Sequence, residues 1–299
     1  MKRGVFAAVA AYALWGILPV YWKALQAVPA LEILGHRTVW SLVFVLLLLG
    51  LRRQWGWLRQ ARRRPRMLLV FGLTTCLLGA NWFTYIWAVN SGHVVDSSLG
   101  YFINPLFSVL LGVLFLGERL RPGQAVAIVF ALAGVLFLTV AYGAFPWIAL
   151  TLAGTFGLYG LLRKTAPLGS LEGLGLETAL LSVPTLAYLL ALESAGSGSF
   201  GHAGAATSLL LAGAGVVTAF PLLMFAYAAR NVTLATVGIL QYIAPTLQFL
   251  LGVLVYGEPF NGTRLVGFAA IWAALALYSA EGLFQGHGRD AAHHAHARN

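Results

Sequence analysis

Polar positions in this chain are too sparse to interrupt its apolar runs, and the runs recur at lengths of about twenty residues. At 1.5 Å per residue, a helix of that length crosses the hydrocarbon core of a bilayer. The pattern predicts spans at about 4–25, 30–51, 67–90, 96–116, 122–142, 145–163, 174–193, 206–228, 234–256 and 264–284, with short links rich in Gly, Pro, Ser or Arg between them. The expected fold class is an all-α membrane protein with ten transmembrane helices.

One run is a copy of another. Leu99–Arg119 (LGYFINPLFSVLLGVLFLGER) returns as Ile239–Pro259 (ILQYIAPTLQFLLGVLVYGEP), and a shift of 140 positions lays Ile103 on Ile243, Pro105 on Pro245 and Gly117-Glu118 on Gly257-Glu258. Weaker matches pair Trp15-Gly16 with Tyr159-Gly160 and Leu31-Glu32 with Leu176-Glu177. The chain then divides into a five-helix repeat over 1–143, a second over 144–284, and a polar tail over 285–299 with four histidines, expected to be disordered. Five spans is an odd number, so the second repeat enters the membrane inverted.

Basic residues orient the bundle, because Lys and Arg are retained on the cytoplasmic side. With the N-terminus inside, all nineteen Lys and Arg except Lys23, Arg37 and Arg264 fall on inner segments. Both termini are therefore expected in the cytoplasm. The charged start, MKR, runs into an apolar stretch that continues to about Ala24, longer than a signal peptide's apolar core, so it reads as a retained first span.

Composition narrows the function classes. The chain is 60% hydrophobic and 9% charged with mean hydropathy +0.82, a balance suited to a lipid bilayer and to no water-exposed globular surface. The net charge of +10 sits in short links, so it does not make a nucleic-acid-binding face. Cys76 is the sole cysteine, which excludes an intrachain disulfide and a thiolate cluster. No P-loop and no H-E-x-x-H helix is present, so neither an ATPase site nor a zinc site is read from the chain, and no cofactor is expected.

The candidate chemistry lies beside the two matched prolines. Pro105 and Pro245 lack an amide hydrogen, which frees the carbonyls of Tyr101 and Gln241 and predicts a bend in each helix. In hydrocarbon those oxygens need a neighbouring helix, water or ligand. Tyr101, Asn104 and Ser108 share one helix face, and Gln241, Ala244 and Gln248 stand at the equivalent positions. Helix-to-helix hydrogen bonding would explain each singly; the recurrence across the duplication favours a shared polar cavity. Asn81 and Tyr85 one turn apart, with Trp82, Trp15 and Tyr242, suit a cavity for a flat or amphipathic molecule, against simple packing as the other explanation.

Arg37, about seven residues into the second span, is costly at that depth. It either joins a structural ion network with Glu32 or Asp96 or attracts an anionic group such as a carboxylate. Glu118 and Glu258 read as corners, each beside the positive end of the helix that follows. All nine acids lie near span ends or outside, so no proton relay is visible.

The runs AYALWGILPVYWK (Ala11–Lys23), EILGHRTVWS (Glu32–Ser41), GANWFTYIWAVN (Gly79–Asn90), SLGYFINPL (Ser98–Leu106), LGER (Leu116–Arg119) and QYIAPTL (Gln241–Leu247) resemble the RarD-type branch of the EamA transporters, in the drug/metabolite transporter superfamily. The resemblance spans nearly the whole chain except the tail. It implies two inverted five-helix repeats, a bacterial inner-membrane location, and export of small metabolites or drugs by alternating access, with room for proton coupling. Substrate-binding candidates are then Trp15, Arg37, Asn81, Tyr85, Tyr101, Asn104, Gln241 and Tyr242. A membrane-embedded enzyme acting on a lipid or isoprenoid is the alternative, and a non-transporting scaffold is a third.

Overall fold

The computed structural model describes residues 2–53, 55–58, 64–90, 94–142 and 145–255, with scattered positions between 262 and 277. Among these, eight helices of 19 to 27 residues follow one another: α1 (Lys2–Lys23), α2 (Ala30–Leu51), α3 (Pro65–Asn90), α4 (Val94–Leu116), α5 (Pro122–Tyr142), α6 (Trp147–Thr165), α7 (Ser170–Ser194) and α8 (Ala205–Asn231). Two eight-residue helices, α9 (Leu234–Gln241) and α10 (Ile243–Leu250), complete the set, and a π-helical turn (Leu251–Val255) closes it. Large apolar side chains such as Leu47, Leu69, Leu114, Val140 and Leu209 face outward. Such a surface belongs in lipid, and the chain is an all-α membrane protein. Most of the last expected span, together with the Gly257-Glu258 corner and the histidine tail, lies outside the described residues.

Several polar side chains pair within their own helix, as an apolar solvent demands. Hydroxyls in mid-helix donate back to the preceding turn: Thr38 to Leu34 O at 2.8 Å, Thr178 to Leu174 O at 2.8 Å and Thr139 to Val135 O at 2.8 Å. Helices start where the sequence signals a start. Pro122 opens α5 at the position where a missing amide costs nothing, and Thr233 caps α9 by accepting the Thr236 amide at 3.1 Å.

The ninth expected span is not one helix. It breaks at Tyr242, directly after Gln241, whose carbonyl Pro245 cannot engage; the Tyr242 amide bonds instead to Ile239 O at 3.2 Å. Its counterpart does otherwise: α4 runs from Val94 to Leu116 with Pro105 inside it and no interruption. The two copies thus differ: the helix is interrupted beside Pro245 and continuous through Pro105. Prolines at 19, 184 and 221 are likewise carried inside unbroken helices.

Contacts define two ends of the bundle. At the α1–α2 end, Leu25 and Val28 pack on Leu211, and the Tyr21 hydroxyl donates to Leu210 O. The small-residue loop over 195–204 is tied down here. Glu32 accepts from the Ser199 hydroxyl at 2.9 Å and from its amide, Phe200 stacks on His36 with ring centroids 4.9 Å apart, and His202 meets Glu193 at 2.9 Å. At the N-terminal end, Lys164 donates to Ala229 O at 3.2 Å and to Val232 O, while Arg230 donates to Ala166 O at 2.6 Å and Leu168 O at 2.8 Å.

Between the ends, small residues let helices cross closely. A β-carbon on Gly238 of α9 would lie 2.5 Å from the Pro105 carbonyl oxygen of α4, so only hydrogen fits there. Gly215 of α8 lies against the Trp40 backbone of α2 in the same manner. The two proline-bearing segments thus touch on one side. On the other they part.

Candidate functional site

Where they part, a cavity of about 290 Å³ opens, lined from α1, α2, α3, α4, α6, α8, α9 and α10. It lies toward the α1–α2 end of α1 and α2, reaching Trp22 near the end of the first and Arg37 two turns into the second. Seven of the eight candidate residues meet in it: Trp15, Arg37, Asn81, Tyr85, Tyr101, Asn104 and Gln241. Of the positions matched across the duplication, Tyr101 and Gln241 both line the wall, as do Asn104 and Ala244. Gln248 lines it too, with its amide spent on Trp15 O at 3.1 Å, whereas its match Ser108 is buried and is not a lining residue.

Tyr242 is the exception. One residue beyond Gln241 on a helical path, it turns to the opposite side, packs with Phe102, Ala127, Ala131 and Val135, and donates its hydroxyl to Phe102 O at 3.1 Å. It ties the break after α9 to α4, and does not face the cavity.

The polar groups of the wall fall into two sets. Asn81 is engaged, its side-chain amide donating to Leu152 O at 3.0 Å and to Thr155 Oγ1 at 2.9 Å, which fixes α3 to α6. By contrast, the Tyr12 hydroxyl, Arg37 Nε, Asn104 Oδ1 and Gln241 Oε1 are buried without a hydrogen-bond partner among the described residues. Asn104 is 5% exposed and Gln241 4%. A buried polar atom left unpaired costs about 1–3 kcal/mol, so four around one cavity mark a place that something fills. Water or a polar solute both satisfy that requirement.

Aromatic rings form the rest. Tyr85 and Tyr101 meet edge to face with centroids 5.9 Å apart. Trp15 packs at 5.6 Å from Tyr12 and 5.8 Å from Phe156, with Phe225 behind them. The Arg37 guanidinium carbon lies 4.2 Å from the centre of the Trp82 ring and 5.3 Å from that of Trp22. Glu32, one expected ion partner of Arg37, is committed to Ser199 and stands 3.9 Å from His36; the other, the Asp96 side chain, lies outside the described residues.

Sequence reasoning missed Trp22 and Tyr12 as wall residues. Trp22 stands at a span end, where tryptophan ordinarily anchors to the membrane interface, and only the return of α2 and α3 beside it turns its ring inward. The reading of every acid as an end group also fails at one site. Glu177 is fully buried two turns into α7, with the Tyr159 hydroxyl 3.3 Å away and Arg163 Nε at 3.8 Å. Nor does Glu118 cap the helix after it: its two oxygens take the Leu234 amide at 2.8 Å and the Ala235 amide at 3.1 Å, at the start of α9. Among the described residues no group of three or more His, Cys, Asp or Glu is placed to hold a metal ion.

Comparison with known proteins bears on the whole chain. Residues 2–140 match the family model of the EamA-like transporter family. A protein named RarD from Streptomyces exfoliatus is 47% identical over 94% of this chain and 90% of its own length. Protein RarD of Escherichia coli K12 is 42% identical over 95% and 96%, and an uncharacterized transporter, YojE, of Bacillus subtilis is 48% identical over 93% and 94%. One crystal structure superposes with a TM-score of 0.68 at 22% identity, covering 92% of this chain and 97% of that one, which shows a shared fold.

Proposed function

Because the chain belongs to the RarD branch of the EamA-like transporter family, we propose that this membrane transporter is a secondary carrier that exports a small organic solute through the central cavity by alternating access. The observation that carries this is the cavity wall itself: Asn104 and Gln241, from the two copies of the duplicated stretch, line one hollow, and each keeps a buried side-chain oxygen without a partner among the described residues. Inverted repeats that face each other across a central site are the arrangement in which rocking exposes the site to each side in turn.

The wall also supports a direction for the state seen here. With the N-terminus cytoplasmic, as the distribution of Lys and Arg favours, the α1–α2 end is the outer one in a bacterial inner membrane. The hollow lies toward that end. The opposite end is held by Glu118 on α9, by Lys164 on Ala229 and Val232, and by Arg230 on Ala166 and Leu168. That combination describes an outward-facing carrier latched on its inner face.

Purified protein in proteoliposomes, given a mixed metabolite extract with and without a proton gradient, tests the proposal. Time-dependent accumulation or release of at least one small organic solute is expected, and it is lost when Asn104 and Gln241 are both replaced by Ala. Transport unchanged in that double variant would remove the site, and no solute moved under any gradient would remove the carrier function.

A further inference from the structure

Arg37 is the only charged side chain among the described residues that line the cavity. Indoles from two helices, Trp22 of α1 and Trp82 of α3, take up the space over its guanidinium, at 5.3 Å and 4.2 Å. Rings stacked on a guanidinium leave its edge, where the N–H donors lie, free to meet a planar acceptor. Arg37 Nε has no partner among the described residues, and Glu32, one turn away on the same helix, is committed to Ser199. A carboxylate is the group that matches such an edge with two parallel hydrogen bonds.

The rest of the wall adds two further requirements. Asn104 and Gln241 line the same wall and their side-chain oxygens, acceptors only, lack partners among the described residues, so an O–H or N–H donor on the solute suits that side. The rings of Trp15, Tyr85 and Tyr101 offer flat apolar surface between. The volume, about 290 Å³, is that of roughly ten waters at about 30 Å³ each, enough for one ring with a short side chain.

We propose that Arg37, between Trp22 and Trp82, is the charge-selecting subsite of this cavity and that its ligand class is the single-ring organic acid, bound by its carboxylate at Arg37 with a hydrogen-bond donor toward Asn104 and Gln241. The proposal rests on the carrier function given above. It deepens it by rejecting cations: an ammonium brought to the same place meets a like charge.

Three ligands of nearly one shape separate the alternatives: 4-hydroxyphenylacetate, 4-hydroxyphenylacetamide and tyramine, which differ in charge at one end only. Each is titrated into the purified full chain in nanodiscs, with tryptophan emission excited at the red edge and thermal unfolding as readouts. The acid is expected to bind at least tenfold more tightly than the amide, with tyramine showing no saturation over the same range. Arg37→Gln brings the acid to the level of the amide, and Arg37→Lys keeps a weakened preference for the acid. Equal affinity for all three ligands, or an acid preference that survives Arg37→Gln, overturns the proposal. Where Arg37→Gln fails to fold, the three-ligand comparison on the unsubstituted protein still decides. Transport of an extract component with none of the three ligands bound sinks the acid subsite and leaves the carrier standing.

Discussion

Glu118 and Leu234 are joined across the middle of the chain: the carboxylate that follows α4 receives the first amide of α9 at 2.8 Å and the next, from Ala235, at 3.1 Å. Lys164 stands 3.7 Å from the same carboxylate. Four amides at a helix start lack partners, and in a membrane protein an acceptor for them has to be supplied by protein. Glu118→Ala removes that acceptor and leaves Lys164 without its counter-charge. A loss of about 1–2 kcal/mol is expected, seen as a lower unfolding temperature in detergent. If this tie holds the N-terminal end closed, as the proposed outward-facing carrier requires, a cysteine placed at Ala235 in a Cys76→Ser background should react several-fold faster with a membrane-impermeant maleimide once Glu118 is replaced. Unchanged labelling would reduce Glu118 to a helix cap with no part in closure.

Gly238 and Pro105 set the distance between the two proline-bearing segments. Since a β-carbon on Gly238 would lie 2.5 Å from a backbone oxygen rather than from a side chain that can swing away, even Gly238→Ala must push α9 off α4. Overpacking of this kind costs about 1–3 kcal/mol. It also displaces Gln241, less than one turn farther along α9, from the cavity wall. Lower stability and lower transport are expected together, whereas Gly72→Ala, with open space around it, changes neither.

Arg163 and Glu177 are both wholly buried, yet the Nε to Oε1 distance of 3.8 Å is that of an ion pair without a hydrogen bond. The guanidinium is held by its Nη2 on Ser170 O at 3.1 Å, and the carboxylate by the Tyr159 hydroxyl at 3.3 Å. Removing one charge strands the other in a medium that cannot solvate it, at a cost of about 3–5 kcal/mol. Glu177→Ala and Arg163→Ala are each expected to unfold far below the parent protein. The double variant Arg163→Met with Glu177→Leu should recover much of that loss. A double variant worse than both single ones would show that the pair is not coupled.

What the sequence made legible follows from the physics each signal obeys. Span limits were readable because apolar length is what a bilayer selects: α2 and α5 begin and end where the runs do. A polar residue deep in an apolar run is rare, so the stripe at Tyr101, Asn104 and Ser108, with Gln241 and Gln248 at matched positions, stood out; all but Ser108 line the cavity. The break after Gln241 was half readable, since the missing amide of Pro245 is local chemistry, while the unbroken path through Pro105 depends on how α4 packs. Tyr242 was misread, because it adjoins Gln241 and periodicity does not reveal a helix break. The partners of Glu118 and Glu177 were not readable either. The amides that Glu118 accepts lie more than a hundred residues on, and Tyr159 and Arg163 beside Glu177 lie on the preceding helix α6, across a helix-to-helix contact that no local pattern encodes.

Asn104 and Gln241 bring stability and function into opposition, which gives the sharpest expectation for the cavity. Both side chains are nearly fully buried and both carbonyl oxygens lack a partner among the described residues, so the fold bears their desolvation without a hydrogen bond from the protein in return. Replacing an unpaired buried amide by an apolar group of similar size is neutral or stabilising, by up to about 1–3 kcal/mol. Asn104→Leu and Gln241→Leu should therefore hold or raise the unfolding temperature. If the two oxygens serve a solute, the same variants lose transport by about tenfold or more, corresponding to about 1.4 kcal/mol of lost interaction. Stability gained while transport falls is the signature of groups kept for function against the interest of the fold. Thermal unfolding and proteoliposome flux measured on the same preparations check both halves. A fall in stability matching the fall in transport would mean that the two amides hold the helices together and that the solute binds elsewhere.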